Sequence, residues 1–299
     1  MIAKKVSDLL GREVSNKDYY NIKEIVIPDY VDNIFPNAFY KFRKLDSVIL
    51  SKSVKIIESG AFKHCRHLKS VYLSANVQEI GYEAFACCDE LETIVVDKNN
   101  KTFDSRDGCN AIICTKDNTL LVGCKTTIIP NGVKRIHFQA FNFSADIPSV
   151  RIPESLHFFS INTFRNRSSI LYIEVDKNNS IFDSRGNCNA IIRKNGNVLI
   201  YGCTSSFIPD GVETIDYRAF ENCTGLTSVI IPASVHTIGP KAFYKCVNLA
   251  SVTISDSIID IGVSAFSYCS KSLFFYIPNG SKRKFETLLP QYKSKLVEI

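Results

Sequence analysis

The stretch from Ala219 to Phe243 reads AFENCTGLTSVIIPASVHTIGPKAF, and it decides the fold. It holds one complete unit of the form A-F-x-x-C-x-x-L-x-x-V-x-I-P-x-S-V-x-x-I-G and the first two residues of the next. The Ala-Phe pair, once as Thr-Phe, marks eight copies, at residues 38, 61, 84, 140, 163, 219, 242 and 265. Such periodicity predicts a solenoid, because a single copy cannot bury its own apolar face and stacked neighbours cover it.

The hydrophobic period changes within each unit. Ala61-Phe62, Cys65 and Leu68 recur at steps of three to four residues, which predicts a helical or 3-10 turn. Val71 and Leu73 then alternate with polar residues, which predicts a short strand with one buried face. Equivalent strands of successive units are therefore expected to form a parallel sheet.

Two copies carry a large insert, because the spacing from 84 to 140 and from 163 to 219 is 56 residues instead of 23. The inserts, at about 97–129 and 176–208, repeat one another at an offset of 79 residues. In the second, Asn195-Gly196 separates two alternating apolar runs, and Asn-Gly is the strongest short hairpin signal. Lys116-Asp117-Asn118 has the same place in the first insert, so we predict one β-hairpin in each.

Both ends of the chain depart from the repeat. The predicted parts are an N-terminal cap at 1–21, a solenoid at 22–278 and a C-terminal cap at 279–299. Val6, Leu9 and Leu10 predict a short helical turn in the first cap, and Leu296-Val297 predicts a last strand in the second. A terminal cap needs one face that seals the core and one that meets water.

Composition and charge exclude several classes of protein. The net charge of +6 is mild and the Lys and Arg residues are scattered, so we expect no nucleic-acid partner. No stretch approaches the ~18 apolar residues of a membrane span. The start, MIAKKVSDLLGREVSNKDYY, lacks the apolar core of a signal peptide, so export by the general route is not expected. We expect a monomer.

The chain has eleven cysteines, and five share one repeat position. These are Cys65, Cys88, Cys223, Cys246 and Cys269, and other copies place Phe42, Ser144 and Arg167 there. Equivalent residues of a parallel stack lie roughly 4.8 Å apart with parallel side chains, which does not suit a disulfide, so we interpret this position as a small buried hydrophobe. The pairs Cys109–Cys124 and Cys188–Cys203 flank the hairpins and are either disulfides or buried thiols.

These copies resemble the BspA-like (Treponema-type) leucine-rich repeat family over roughly residues 22–299. The resemblance rests on the eight Ala/Thr-Phe marks, the C-x-x-L-x-x-V-x-I-P run, the S-V-x-x-I-G ending, the two inserts and the G-S-K-x-K-F tail. It implies an α/β repeat: a right-handed leucine-rich-repeat solenoid with a parallel β-sheet face, short helical or 3-10 turns and two β-hairpin inserts. It also implies a cell-surface protein that binds other proteins, including host matrix components, but the motif is structural and carries over no functional residue.

The outward strand positions are the candidate binding site. One row is nearly all Ser and Thr: Ser47, Ser70, Thr93, Ser149, Tyr172, Ser228 and Ser251. The other mixes aromatic, aliphatic and charged groups: Ile49, Tyr72, Val95, Arg151, Glu174, Ile230 and Thr253. Tyr and Arg are the residue types of binding hot spots, so we predict that Tyr72, Arg151, Tyr172, Glu174 and Thr253 contact a partner protein. An ordinary solvated sheet face is the alternative.

Other polar motifs favour structural interpretations. His64 and His67 flank the inward Cys65 and are expected at the surface, and Asp104 and Asp183 lack the ligand order of a calcium loop and are interpreted as turn residues. Asn-x-Ser/Thr triplets begin at Asn100, Asn142, Asn166, Asn178, Asn222 and Asn279 and matter only in a chain exported by a eukaryote. No phosphate loop, nucleophile elbow or paired-carboxylate arrangement occurs, so we expect no enzyme, no metal and no cofactor.

The sequence therefore predicts a non-catalytic protein–protein interaction module of the cell-surface adhesion type, which binds through its sheet face. An intracellular interaction scaffold is one alternative, favoured by the missing signal and the many cysteines. A carbohydrate-binding solenoid is another, for which Tyr72 and Tyr172 would supply aromatic platforms.

Overall fold

The computed structural model describes residues 2–11, 15, 21–141, 147–164 and 170–299. The chain divides into two units, Met1–Ala145 with Phe158–Thr163 and Asp146–His157 with Phe164–Ile299. Each consists of stacked turns joined by parallel sheets, so the predicted repeat solenoid is confirmed. Among the described residues, no helix is long and apolar enough to cross a membrane.

The described residues of the first unit form three sheets. Its face sheet consists of four parallel strands, β1 (Glu24–Val26), β3 (Ser47–Ile49), β5 (Ser70–Leu73) and β7 (Thr93–Val96). A second parallel sheet contains β2 (Asn33–Ile34), β4 (Ile56–Ile57) and β6 (Glu79–Ile80). The third contains β8 (Phe103–Asp104), β9 (Ala111–Cys114), β10 (Thr119–Gly123), β11 (Arg135–Ile136) and β13 (Phe158–Phe159), in the spatial order β13-β11-β10-β9-β8.

The second unit repeats this plan. Two strands, β12 (Ser149–Ile152) and β14 (Tyr172–Val175), form one parallel pair. A mixed sheet contains β15 (Phe182–Asp183), β16 (Ala190–Arg193), β17 (Val198–Gly202), β18 (Thr214–Ile215), β20 (Thr237–Ile238) and β22 (Asp260–Ile261). Its four-stranded face sheet consists of β19 (Ser228–Ile231), β21 (Ser251–Ile254), β23 (Phe274–Ile277) and β24 (Leu296–Glu298).

Helices are few and short in the described parts of the chain. The α-helices there are α1 (Ile2–Leu10) and α2 (Lys282–Leu288), and the 3-10 helices are Arg106–Gly108, Ile161–Phe164, Arg185–Asn187 and Pro290–Lys295. Val6, Leu9 and Leu10 are buried on α1, as their spacing predicts, and Gly11 follows with a φ of 63°. At the other end β24 pairs in parallel with β23, which confirms the strand predicted at Leu296-Val297.

The repeat register follows from the side chains that each strand buries. Val71 and Leu73 of β5 are buried, whereas Ser70 and Tyr72 on the same strand are exposed. Behind the strands, the phenylalanines of the Ala-Phe marks stack ring on ring. In the first unit the ring centroids of Phe39 and Phe62 lie 5.1 Å apart and those of Phe62 and Phe85 lie 5.4 Å apart. In the second unit the corresponding distances are 5.0 Å for Phe220 and Phe243 and 5.1 Å for Phe243 and Phe266.

The corners at the Ala-Phe marks differ from the helical turn that we predicted for most copies. Of the described corners, only Ile161–Phe164 is a 3-10 helix. Elsewhere the residue before the cysteine position has a positive φ, which interrupts a helix; these residues are Lys41, His64, Cys87, Asn222, Lys245 and Tyr268. At these corners the positive φ directs backbone amides toward the next repeat. The Phe62 amide, for example, donates to the Ala84 carbonyl of the next copy at 2.8 Å. The corner is therefore a further hydrogen-bond ladder between repeats.

The thiols at the repeat position also join neighbouring repeats. They are buried, or half-buried at Cys269, as the packing interpretation predicts. Most of them donate a hydrogen bond to the phenylalanine carbonyl of the preceding copy: Cys65 to Phe39 (3.1 Å), Cys88 to Phe62 (3.3 Å), Cys246 to Phe220 (3.1 Å) and Cys269 to Phe243 (3.1 Å). The same position in two other copies, Ser144 and Arg167, lies outside the described residues.

Both predicted hairpins form, but their turns are longer than the Asn-Gly signal implies. Strands β9 and β10 are joined by the four residues 115–118, and β16 and β17 by 194–197. The fourth turn residue is left-handed in both, with φ of 56° at Asn118 and 46° at Asn197. Asparagine tolerates this conformation, which explains why the first hairpin forms without a glycine.

Each insert begins at a buried asparagine, Asn100 in the first unit and Asn179 in the second. The Asn179 Nδ2 donates to the carbonyls of Pro153 (2.7 Å) and Leu156 (2.9 Å). Its Oδ1 accepts from the amides of Ile181 (2.9 Å) and Phe182 (2.8 Å). One side chain therefore holds the insert against the preceding repeat.

Candidate functional site

An exposed apolar stripe crosses the face sheet of the first unit. Val26, Ile49, Tyr72 and Val95 are paired in register across β1, β3, β5 and β7. Their exposed fractions are 58%, 52%, 48% and 41%, although all four side chains are apolar or aromatic. Four aligned apolar side chains form a continuous surface, whereas scattered single exposures are common on any protein.

Tyr72 is held in place on this stripe. Its hydroxyl donates a hydrogen bond to Asp97 Oδ2 at 2.8 Å. The backbone amide of Asn99 and then the Tyr72 hydroxyl lower the pKa of the Asp97 carboxyl, so that carboxyl stays charged. The ring therefore lies among apolar neighbours with a fixed polar edge, which is the arrangement of an aromatic anchor at an interface.

In the second unit, Arg151 and Glu174 face each other across β12 and β14. The Arg151 Nε lies 3.7 Å from Glu174 Oε1, and its Nη2 lies 3.9 Å from Asp176 Oδ2. Tyr172, 55% exposed, lies two residues from Glu174 on the same strand face, and these residues line one open groove. The groove therefore presents a cation, two carboxylates and an aromatic ring together.

Thr253 is half-buried within the face sheet of the second unit. It pairs with Ile230 on one side and with Tyr276 on the other, and Val297 follows Tyr276 on β24. Ile230 is 71% exposed, so this row also presents apolar surface. The structure thus brings Arg151, Tyr172 and Glu174 together, and it places Thr253 in a row between apolar neighbours.

The sequence profile of the BspA type leucine rich repeat region matches residues 14–109, 121–192 and 200–289, with six copies. The chain belongs to this family. BspA type repeats are generally protein-interaction modules, and a solenoid of this kind is typically non-catalytic. No curated protein matches the chain by sequence.

Several solved structures are similar to this BspA type chain. One is a leucine rich cell surface protein from Faecalibacterium prausnitzii A2-165, 24% identical with a TM-score of 0.54, aligned over 89% of this chain and 82% of that one. Another is a leucine-rich repeat protein from Eubacterium ventriosum ATCC 27560, 20% identical with a TM-score of 0.56, aligned over 85% of this chain and 66% of that one. Both likenesses support the fold.

Sequence reasoning missed two kinds of face residue in this BspA type chain. Val26 precedes the first full copy and Tyr276 lies beside the C-terminal cap, yet both are in register with the rows. Continuing the 23-residue offset from Ile49 and from Thr253 would have found them. Asp97 follows β7 and its contact with Tyr72 has no sequence signal.

The polar motifs outside the face have local partners. His67 Nδ1 lies 2.8 Å from Glu90 Oε1, and the His64 ring packs edge-on against Tyr40. The Asp104 carboxylate accepts from the Arg106 guanidinium of its own turn, and Asp183 accepts from Arg185 at 2.9 and 3.1 Å. Across the described parts of the chain, no three His, Cys, Asp or Glu residues are grouped to hold a metal ion.

The Asn-x-Ser/Thr triplets, which are the acceptor motif for N-glycosylation, differ in how exposed their asparagine side chains are. Asn100 is buried, and its Nδ2 donates to the carbonyls of Ser74 and Val77, both at 2.9 Å, so this triplet is structural. Asn178 and Asn279 are exposed, and Asn222 is half-buried. Asn142 and Asn166 lie outside the described residues.

The eleven cysteines carry free thiols, including Cys109, Cys124, Cys188 and Cys203 beside the hairpins. Burial raises the pKa of Cys65 to about 12 and that of Cys109 to about 11, and burial also raises the pKa of Cys246. Because the thiolate is the reactive form, such groups react slowly at neutral pH.

We expect iodoacetamide at pH 8 to alkylate the half-buried Cys114 of the native protein well before Cys65 or Cys246. A thiol of pKa about 12 is thiolate in roughly one molecule in ten thousand at that pH, and burial adds a steric barrier. Peptide mapping by mass spectrometry, native and in urea without reductant, measures this order. Fast native labelling of Cys65 would contradict it, and failure of Cys109 to label in urea would reveal a disulfide.

Proposed function

We propose that this chain is a non-catalytic protein-binding module whose partner contacts the stripe of Val26, Ile49, Tyr72 and Val95 on the first unit. The observation that carries the proposal is their alignment in register, with all four exposed by 41% or more. Burying these side chains against a partner would remove apolar surface from water, which drives most protein association. The surface adhesion role implied by the family resemblance belongs to this proposal.

The groove of the second unit supports a separate contact of the same kind. Arg151, Tyr172 and Glu174 combine an aromatic ring with paired charges, and such charges select a partner by complementarity more than they add affinity. The Arg151 ion pairs are largely exposed and contribute little to stability, so they are free to exchange for charges on a partner. Thr253 contributes through its row with Ile230.

A photo-crosslinking amino acid at position 72 tests the first contact and identifies the partner in an extract of the native source. The control position is Ile128, which is 68% exposed but lies outside the face sheet. We expect a discrete crosslinked protein from position 72 that position 128 does not give. Equal products from both positions would contradict binding through the stripe.

We expect the double replacement of Ile49 and Tyr72 by alanine to weaken binding to the crosslinked partner by about 30-fold or more, the loss typical of removing a hot spot. Alanine at Ser70 and Thr93, in the polar row of β5 and β7 beside the stripe, is the matched control and should change Kd by less than about twofold. Arg151→Ala with Tyr172→Ala tests the groove separately. Calorimetry measures each Kd, and an unchanged value for the Ile49 and Tyr72 variant would overturn the proposal.

A further inference from the structure

A cavity of about 250 Å³ lies in the first unit, away from the face sheet. It is bounded by the corner 80–86, by Leu121, Val122 and Gly123 of β10, and by the segment around His137 and Gln139. A buried apolar cavity of ~150 Å³ holds a benzene molecule, so this one has room for an aromatic ring.

The duplication supplies an internal reference for this cavity, because each residue of the first block has an equivalent 79 positions later. The strand that carries the equivalent residue is held alike in both blocks, whereas the corner at 80–86 lacks the 3-10 helix that Ile161–Phe164 forms in the second block. The Gly123 amide donates to the Ala140 carbonyl at 2.8 Å, and the equivalent Gly202 amide donates to the Ala219 carbonyl at 2.9 Å. Side chains at equivalent positions of β10 and β17 can therefore be compared directly at this place.

In the second block the place is filled by a tyrosine. Tyr201, the equivalent of Val122, is 8% exposed, and its ring packs edge-on against Phe164 with centroids 5.8 Å apart. Its hydroxyl donates to the Phe164 carbonyl at 2.8 Å. Val122 is too short to reach the equivalent Phe85, and so the first block retains an open space where the second holds a phenol ring.

The cavity also keeps the polar groups that such a ring needs. Within the described residues, none donates a hydrogen bond to the carbonyl of Phe85, the equivalent of the acceptor that Tyr201 uses. The Gln139 Oε1 is buried without a partner among the described residues, while its Nε2 donates to Glu83 Oε1 at 3.2 Å. Glu83 is itself paired with Lys63, so its charge is compensated. Counting only contacts among the described residues, the groups left unpaired are acceptors, and a neutral O–H donor satisfies an acceptor without bringing charge into the site.

We propose that this cavity binds the phenol ring of a tyrosine side chain presented by a partner protein. Two exposed aromatic residues beside the cavity favour a protein as the source over a free phenol. Tyr82 is 56% exposed and Phe138 is 44% exposed, with ring centroids 6.3 Å apart, and Tyr82 lines the cavity. These rings offer contact area to the chain on either side of a tyrosine, which a free phenol lacks. The site lies outside the face sheets, so its success or failure is independent of binding through the stripe.

Binding of p-cresol, followed by ligand-observed NMR and by protein chemical shifts, tests the cavity. We expect one site with a Kd on the order of 1 mM, the affinity that a ligand of this size reaches. Toluene, which lacks the hydroxyl, should bind at least about fivefold more weakly, because it leaves the acceptors unpaired. Val122→Tyr should abolish binding, since it installs the ring that the second block already contains.

Tyr201→Val is the matched opposite variant, and we expect it to open a second site and raise the stoichiometry from one to two. If Val122→Tyr fails to fold, Tyr201→Val still tests the proposal. Val122→Phe, which fills the space without a hydroxyl, serves the same purpose. Equal p-cresol binding by the native protein and a folded Val122→Tyr or Val122→Phe variant would overturn the proposal, and so would no binding to the native protein.

Two tripeptides distinguish a tyrosine from a free phenol. We expect acetyl-Ala-Tyr-Ala amide to bind at least as tightly as p-cresol and acetyl-Ala-Phe-Ala amide to bind at least about fivefold more weakly. Because Tyr82 lines the cavity and also offers surface beside it, we expect Tyr82→Ala to weaken the tyrosine peptide more than it weakens p-cresol. If the protein binds p-cresol but not the tyrosine peptide, the proposal that the ligand is a protein side chain is wrong.

Discussion

Replacing Phe243 by alanine is expected to lower the free energy of unfolding of the second unit by about 3–5 kcal/mol, the usual loss when a buried phenylalanine is truncated. The ring is completely buried and lies between the rings of Phe220 and Phe266, at centroid distances of 5.0 and 5.1 Å. Its removal leaves a gap between the two neighbouring rings of the stack. Because each turn is also tied to the next by backbone ladders, the neighbouring rings cannot close the gap without breaking hydrogen bonds.

Urea unfolding followed by circular dichroism measures the loss. The control is Val263→Ala in the same unit, where the side chain is 79% exposed and the expected change is within about 0.5 kcal/mol. A loss below about 1 kcal/mol for the Phe243 variant would show that the phenylalanine stack is not the main support of the core.

The repeat register was predictable because it depends on one number. A spacing of 23 residues places Val71 beside Val48 and Ile94 in a parallel ladder, and the same arithmetic places Tyr72 between Ile49 and Val95. The rows that make up the candidate site follow from the register without further information. Their ends were missed where the incomplete copies next to the caps lose the repeat motif but keep its pairing, as at Val26.

The backbone conformation of the corners was not predictable, because most of the residues there are not of a type that indicates a positive φ. Glycine is the usual signal of a positive φ, yet this conformation occurs at His64, Lys245 and Tyr268. The local preference of these residues is overridden by the ladder to the next repeat, as when the His64 amide donates to the Ala86 carbonyl at 2.8 Å. A helical step in the sequence pattern and a left-handed corner are therefore compatible, since both bury Phe and Cys on one side.

The cavity was also not predictable from the sequence. The sequence shows both Val122 and Tyr201 at equivalent positions of the duplicated block, but a valine facing a tyrosine in an alignment is an ordinary apolar substitution. Only the hydrogen bond from Tyr201 to the Phe164 carbonyl shows that the tyrosine fills a defined place. The open space beside Val122 is therefore recognised by comparison with the second block, where Tyr201 fills the equivalent place.

Asn179→Ala is the second replacement with a large expected effect, a loss of about 3–5 kcal/mol. The Asn179 side chain is fully buried and makes four hydrogen bonds to backbone groups, two on each side of the junction between repeat and insert. Alanine leaves two carbonyls and two amides without these partners. Each buried polar group that loses its partner costs about 1–3 kcal/mol, and water that enters the junction recovers part of this loss. The junction is therefore expected to open before the rest of the second unit unfolds.

Asn178→Ala is the matched control, because the adjacent Asn178 is exposed and its side chain makes no hydrogen bond to the described residues, whereas its backbone amide donates to Asp176 Oδ1 at 3.0 Å. Urea unfolding gives the free energy, and hydrogen exchange at Ile181 and Phe182 reports whether the loss begins at the junction. We expect fast exchange of these two amides in the Asn179 variant and native exchange in the Asn178 variant. If both variants keep the amides protected, the insert is held by its hairpin packing, and the asparagine serves only the turn that follows it.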